Sequence, residues 1–130
     1  MFKIRYKSHH DVGNIISKFT QNLKASKKDF LDLLNTENKN KQLGIYFHTP
    51  YCDKICSFCN MNRKQLDNDL EEYTEYLCEE IKKYGAYEFC KTSEIDVVFF
   101  GGGTPTIFKK EQLERILKTL NENFKFAKDY

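Results

Sequence analysis

The sequence has no excess of either charge: 21 Lys and Arg against 19 Asp and Glu leave a formal net charge of +2. That balance offers no electrostatic case for a nucleic-acid partner. No apolar run approaches the ~20 residues needed to span a bilayer. The first residues, Met1-Phe2-Lys3-Ile4-Arg5-Tyr6-Lys7, lack the apolar stretch of a secretory signal. These absences give the expectation of a soluble, cytosolic protein with no membrane span. The five cysteines are odd in number and partly clustered, which argues against a disulfide framework. In a reducing compartment such cysteines are metal-binding or reactive. The glycines lack the G-x-G-x-x-G spacing of a dinucleotide site and the lysine of a phosphate loop. What the chain does have is aromatic bulk, 11 Phe and 8 Tyr in 130 residues, enough for one core.

Residues 1–42 read as a helical N-terminal extension and linker. Ile4 and Tyr6 alternate with basic residues as in a short strand. Val12, Ile15, Ile16, Phe19 and Leu23 recur at helical spacing behind Asp11, a candidate cap. Phe30, Leu31, Leu33 and Leu34 repeat the pattern, with Ser26 as the cap and Asp29 in the first turn. Asn35–Gln42 is polar and Asn-rich, a linker. The lysines of this region suit a solvated helical face better than a basic patch. His9 and His10, with no carboxylate nearby, read as surface residues.

From residue 43 the pattern changes to α/β. Leu43–Phe47 is continuously apolar, as in a strand covered on both faces, and Pro50 stops it. Asp67–Tyr84 is the clearest helix: Leu70, Tyr73, Leu77, Ile81 and Tyr84 form one stripe. Asp67 or Asn68 can cap it, and Gly85 is placed to end it in a left-handed conformation. The interleaved aromatics suit a core rather than a base-stacking platform. Ile95–Phe100 is a second buried strand. Lys110–Phe124 is a second amphipathic helix, with Leu113, Ile116, Leu117, Leu120 and Phe124 on its stripe. Strands alternating with such helices imply βαβ crossovers and a parallel sheet. No third strand is expected, so residues 43–130 read as two βα units of a longer, truncated barrel.

Chemistry concentrates at Cys52, Cys56 and Cys59, a C-x-x-x-C-x-x-C loop at the end of the first strand. In barrels and open α/β sheets that strand end is where sites are built. Thiolates suit iron–sulfur clusters and zinc. A cubane usually takes four cysteines, so three imply a fourth ligand from elsewhere or an iron left open. Zinc would want four ligands, with His48, Cys78 or Cys90 completing the set. Cys78 and Cys90 otherwise read as ordinary small apolar residues.

The segment Tyr46-Phe47-His48-Thr49-Pro50-Tyr51 leading into this loop, with Val98-Phe99-Phe100-Gly101-Gly102-Gly103-Thr104-Pro105-Thr106 downstream, resembles the radical S-adenosylmethionine enzymes. The likeness is to their oxygen-independent coproporphyrinogen III oxidase-like group, which includes a haem chaperone and anaerobic haem-degrading enzymes. It covers roughly residues 43 to 125. It implies the opening units of a partial (β/α)6 TIM-like barrel. By the same resemblance Cys52, Cys56 and Cys59 hold three irons of a [4Fe–4S] cluster, and S-adenosyl-L-methionine chelates the fourth. Tyr46, Phe58, Gly102, Gly103 and Thr104 match cofactor-contacting positions. Phe58, between two ligands, is also suited to shield the cluster from water. The implied chemistry is a 5′-deoxyadenosyl radical acting on a porphyrinogen or haem, fed by a low-potential donor such as flavodoxin or ferredoxin. His48 matches a histidine that is not a ligand, which favours a hydrogen-bonding role.

Two positions depart from the family pattern. Thr49 replaces a residue that is more often apolar. Met61 stands where the coproporphyrinogen dehydrogenase has an additional cysteine, which leans the reading toward the haem-chaperone or haem-degrading branches. The alternatives are a haem-binding chaperone without oxidase activity and a zinc-binding module.

Overall fold

The computed structural model of the chain describes residues 25–66 and 70–128. The strand read at Ile4 and Tyr6, the helix read from Val12 to Leu23, His9, His10 and the caps Asp67 and Asn68 lie outside the described residues. The chain divides into two compact units, Met1–Asp32 and Leu33–Tyr130.

The first described element, α1 (Lys27–Leu34), starts where its cap requires. The Ser26 hydroxyl accepts the Asp29 amide (3.2 Å), and the Asp29 carboxylate accepts the Ser26 amide (2.7 Å). This reciprocal pair satisfies amides that a helix start leaves open. The polar stretch that follows is anchored, not loose. Asn38 is buried; its side-chain amide donates to the Gln42 carbonyl (3.0 Å) and the Ser93 hydroxyl (2.8 Å).

The second unit is α/β. Strand β1 (Gln42–Thr49) ends at Pro50 as expected. After β1 come two short strands, β2 (Tyr51–Cys52) and β3 (Lys64–Gln65), then α2 (Glu71–Gly85), α3 (Glu88–Lys91), β4 (Glu94–Gly102), a 3-10 turn at Pro105–Ile107, α4 (Lys110–Asn123) and β5 (Lys125–Phe126). The main sheet is parallel in the order β1-β4-β5. The expectation of no third strand is corrected by β5. Phe124 is extended, and the Ala127 amide donates to the Ile95 carbonyl at 3.0 Å. Two paired residues are too few to leave a period in the sequence.

The β1–β4 register breaks once. Leu43 pairs with Ile95 but Gly44 pairs with Val97, leaving Asp96 as an extra residue. Such a bulge reverses the alternation of side chains beyond it. Ile95 lies in the core, and after the bulge Val98 and Phe100 pack on the core while Val97 and Phe99 are exposed. The expectation that β1 is covered on both faces is thereby corrected. Leu43, Ile45 and Phe47 meet the helices, whereas Tyr46 on the other face is 52% exposed.

The core joins Phe47 and Ile95 of the sheet to Leu77, Cys78 and Ile81 of α2 and Ile116 and Leu120 of α4. The α2 stripe is as read. The α4 stripe is rotated: Leu113 and Leu117 are 36% and 37% exposed, and Gln112 and Thr119 are buried in their place. Their polar groups are satisfied locally. Gln112 Oε1 accepts the Lys109 amide (2.9 Å) and its Nε2 donates to Glu71 (3.3 Å), while the Thr119 hydroxyl donates to the Arg115 carbonyl (2.8 Å).

Gly85 is also corrected. It does not adopt a left-handed conformation, and the following Ala86 is right-handed (φ −78°, ψ −17°). The glycine serves packing instead. A Cβ there would lie 2.8 Å from the Asn123 carbonyl oxygen and 2.9 Å from Asn123 Cβ, so its absence lets the end of α2 approach the end of α4. Among the described residues, no helix is long and apolar enough to cross a membrane.

Candidate metal and cofactor site

The cysteine loop is closed at its base by β2 and β3, which sequence reasoning missed because each is two residues long. They pair in parallel, Tyr51 with Lys64 and Cys52 with Gln65. The Lys64 amide donates to the Pro50 carbonyl (2.6 Å) and the Leu66 amide to the Cys52 carbonyl (2.9 Å). The ends of the loop are thus pinned together, and Cys52, Cys56 and Cys59 share one short excursion of chain. The Cys59 amide donates to the Cys56 carbonyl at 3.2 Å, a turn that keeps the last two cysteines near each other.

All three are free thiols: Cys52 is buried, Cys59 half-buried and Cys56 exposed. Among the described residues, no three His, Cys, Asp or Glu side chains are gathered as a metal-holding group. The donor set still fits a thiolate-bound iron–sulfur group in chemistry, and the pinned loop supplies its three thiols from one place. Phe58 is 89% exposed, so its ring has almost no packed surface.

The glycine turn lies against this loop. Strand β4 runs through Gly101 and ends at Gly102 beside Thr49 of β1. The Gly103 amide donates to the Thr49 carbonyl (2.6 Å) and the Thr104 amide to the Tyr51 carbonyl (2.9 Å). A Cβ on Gly103 would collide with the Tyr51 carbonyl oxygen and lie 2.7 Å from Cys52 Sγ. Gly102 has φ +103°, and a Cβ there would meet the Thr49 oxygen at 2.7 Å and the His48 ring at 2.9 Å. Glycine, having no Cβ, enters that conformation cheaply, and L-residues do not. The sequence alone suggests glycines that admit a ligand; the structure adds that they admit the neighbouring cysteine loop. The Thr49 hydroxyl is fully buried and has no hydrogen-bond partner among the described residues.

His48 links the two faces of this arrangement. Its Nε2 lies 3.2 Å from the Asn62 carbonyl oxygen and its Nδ1 3.0 Å from the Tyr46 hydroxyl. A carbonyl can only accept, so Nε2 donates in this contact, and in the neutral ring Nδ1 is then the nitrogen that accepts from Tyr46. Both ring nitrogens are therefore engaged, which bears out the hydrogen-bonding reading of His48. Tyr73 on α2 donates to the His48 carbonyl at 2.5 Å and packs edge-on to Tyr51 and stacked on Phe108. Burial, with Tyr51 and Glu80 beside it, pushes the Tyr73 phenol above its ordinary pKa. Cys78 and Cys90 are buried, as expected of small apolar residues, and burial pushes the Cys90 thiol up. A cavity of about 430 Å³ runs along β1, lined by Tyr46, His48, Tyr73, Glu80, Tyr84 and Cys90 among others. It lies beside the junction of glycine turn and cysteine loop, not at it.

The chain is similar to several curated proteins. Anaerobilin synthase of Escherichia coli O157:H7 is 30% identical over 99 residues, 75% of this chain and 22% of that protein. Oxygen-independent coproporphyrinogen III oxidase of Escherichia coli K12 is 35% identical over 91 residues, 68% of this chain and 20% of the relative. Heme chaperone HemW of Bacillus subtilis is 32% identical over 89 residues, 66% and 22% respectively. The chain thus spans about a fifth of the length of these curated relatives. The solved structure of coproporphyrinogen III oxidase (HemN) from Escherichia coli, described as a radical SAM enzyme, superposes with a TM-score of 0.70. It is 30% identical and covers 79% of this chain and 24% of its own. A sequence model of the Radical SAM superfamily matches residues 46–128. Cysteine loop and glycine turn both fall within that match, and the chain belongs to the Radical SAM superfamily.

Proposed function

We infer that Cys52, Cys56 and Cys59 hold a [4Fe–4S] cluster, and that Tyr46, Phe58, Gly102, Gly103 and Thr104 contact S-adenosyl-L-methionine beside it. The observation that carries this reading is the pair of hydrogen bonds fastening the glycine turn to the cysteine loop, from Gly103 to Thr49 and from Thr104 to Tyr51. They put a thiol-bearing loop and a stretch of bare backbone at one end of two parallel strands. When bound, the two groups supply a one-electron reduction and a carbon-centred radical that can take hydrogen from an unreactive C–H bond. The chain's own part is positional. The β2–β3 clip holds the thiols on one loop, the glycines let the turn close onto that loop, and His48 fixes the Tyr46 hydroxyl against the loop backbone. The substrate class is a tetrapyrrole, porphyrinogen or haem, as the relatives' names indicate. The electron source is a low-potential protein such as flavodoxin or ferredoxin.

A second reading, haem carriage without oxidation, draws on Met61, which occupies the position of the dehydrogenase's additional cysteine and is 43% exposed. The zinc reading loses its best fourth ligand, because both nitrogens of His48 are engaged. Anaerobic reconstitution with iron and sulfide tests the assignment. The expected product is a brown protein with about four irons and four sulfides per chain, and Cys56→Ala should lose that chromophore. A colourless protein holding one zinc and no sulfide, or full iron content in Cys56→Ala, overturns it.

A further inference from the structure

The chain enters the cysteine loop with every carbonyl from His48 to Cys52 taken. Thr49 and Tyr51 accept the Gly103 and Thr104 amides of the glycine turn, and Pro50 and Cys52 accept the Lys64 and Leu66 amides at the far end of the loop. His48 accepts the Tyr73 hydroxyl at 2.5 Å. Four of these five donors are backbone amides, which any residue but proline supplies. The fifth is a side chain on the first turn of α2, the helix that follows the loop. Tyr73 therefore bonds back across the whole excursion of chain that carries the cysteines, from the element after it to the strand before it.

The Tyr73 ring joins the same parts by packing. Tyr51, the residue before Cys52, meets it edge-on with centroids 5.3 Å apart and planes at 70°. Phe108, which follows the 3-10 turn after the glycines, stacks on it with centroids 6.4 Å apart and planes at 14°. Both are favoured arrangements of aromatic pairs. A stripe residue that only filled the core would need neither contact. Leu77 and Ile81, later on the same stripe, are buried in the core, whereas Tyr73 is half-buried at its margin. What these contacts hold is closely fitted: Cys52 is buried, and a Cβ on Gly103 would stand 2.7 Å from its Sγ.

We propose that Tyr73 is a positioning residue for the candidate site: it clasps the cysteine loop to the segment leaving the glycine turn and so keeps Cys52 against Gly103. A loop closed in this way loses less freedom when its thiols gather around a metal group. That the loop holds a cluster rests on the reading above; the clasp stands without it.

The test compares the 130-residue parent with Tyr73→Phe, which keeps the ring and loses the hydroxyl, and Tyr73→Leu, which loses both. On the reduced, metal-free proteins, iodoacetamide labelling of Cys52 is followed by peptide mass spectrometry. Labelling should quicken about fivefold in Tyr73→Phe and about twentyfold in Tyr73→Leu. Asn38→Ala is the control for general loss of stability, because its bonds to Gln42 and Ser93 lie at the opposite ends of the same strands. It should leave Cys52 at the parent's rate. An unchanged Cys52 rate in Tyr73→Leu overturns the proposal. So does equal quickening in Asn38→Ala, which would show that Cys52 reports only overall stability. After anaerobic loading with iron and sulfide, Tyr73→Leu should yield its iron to a chelator about tenfold faster than the parent. Equal iron loss refutes the positioning role and leaves the cluster assignment standing. A parent that takes up no iron refutes the cluster assignment alone, since Cys52 labelling decides the clasp without metal.

Discussion

Tyr73 ties helix α2 to the end of β1 through one hydroxyl, donated to the His48 carbonyl at 2.5 Å. Tyr73→Phe keeps the ring contacts and removes that bond, so it should cost about 1 kcal/mol in denaturant unfolding. The phenol's pKa is raised above its ordinary value of 10.0 by burial first, then by Tyr51 and Glu80. The folded state therefore favours the neutral phenol. Its contribution is whole below the ordinary pKa and is lost as pH rises through the raised folded value. Stability of the parent should fall through that alkaline window, and the fall should be shallower in Tyr73→Phe; identical alkaline slopes would contradict this. At this scale much of the site was legible. Three cysteines at 52, 56 and 59 and a glycine triplet at 101–103 are chemical identities, readable without coordinates. The role of Gly102 was legible only in part, because its positive φ answers to Thr49 and His48, residues remote in sequence.

Between elements, Gly85 decides how closely α2 approaches α4. By propensity alone, Gly85→Ala within a helix should stabilise by roughly 1 kcal/mol. Its Cβ would, however, fall within 2.8 Å of the Asn123 carbonyl, which is backbone and yields little. The expected result is a net loss of about 1–3 kcal/mol, seen as a lower unfolding midpoint; a gain in stability would show that the helix ends part at little cost. The sequence pattern placed α4 and the end of α2 nearly to the residue, since their apolar stripes repeat over several turns, but it began α2 at Asp67 where the structure begins it at Glu71. It could not place the edge of the α4 stripe. Leu113 and Leu117 are as apolar as Leu120, and only the pairing of Gln112 with Glu71 and Lys109 shows which side turns inward. The strands β2, β3 and β5 carry no period because each is two residues long.

For the molecule as a whole, the stretch before β1 is bound into the second unit. Asn38 bonds Gln42 and Ser93 with its side chain, and its amide donates to Thr92 Oγ1 at 2.9 Å. Asn38→Ala should therefore cost about 2 kcal/mol, as the buried Ser93 hydroxyl and the part-buried Gln42 carbonyl lose their donor. Limited proteolysis should then cut faster between residues 35 and 41, and unchanged cleavage would show that the anchor is redundant. The polar composition of this stretch reads as a linker because composition does not report burial. What the sequence determined by itself was the α/β order and the chemistry at the strand ends, since period and residue type are local properties. What tertiary structure decided was which apolar residues face in. Val97, Val98, Phe99 and Phe100 are interchangeable by hydropathy, and their sides are set by a bulge at Asp96 that exists only when β4 lies against β1.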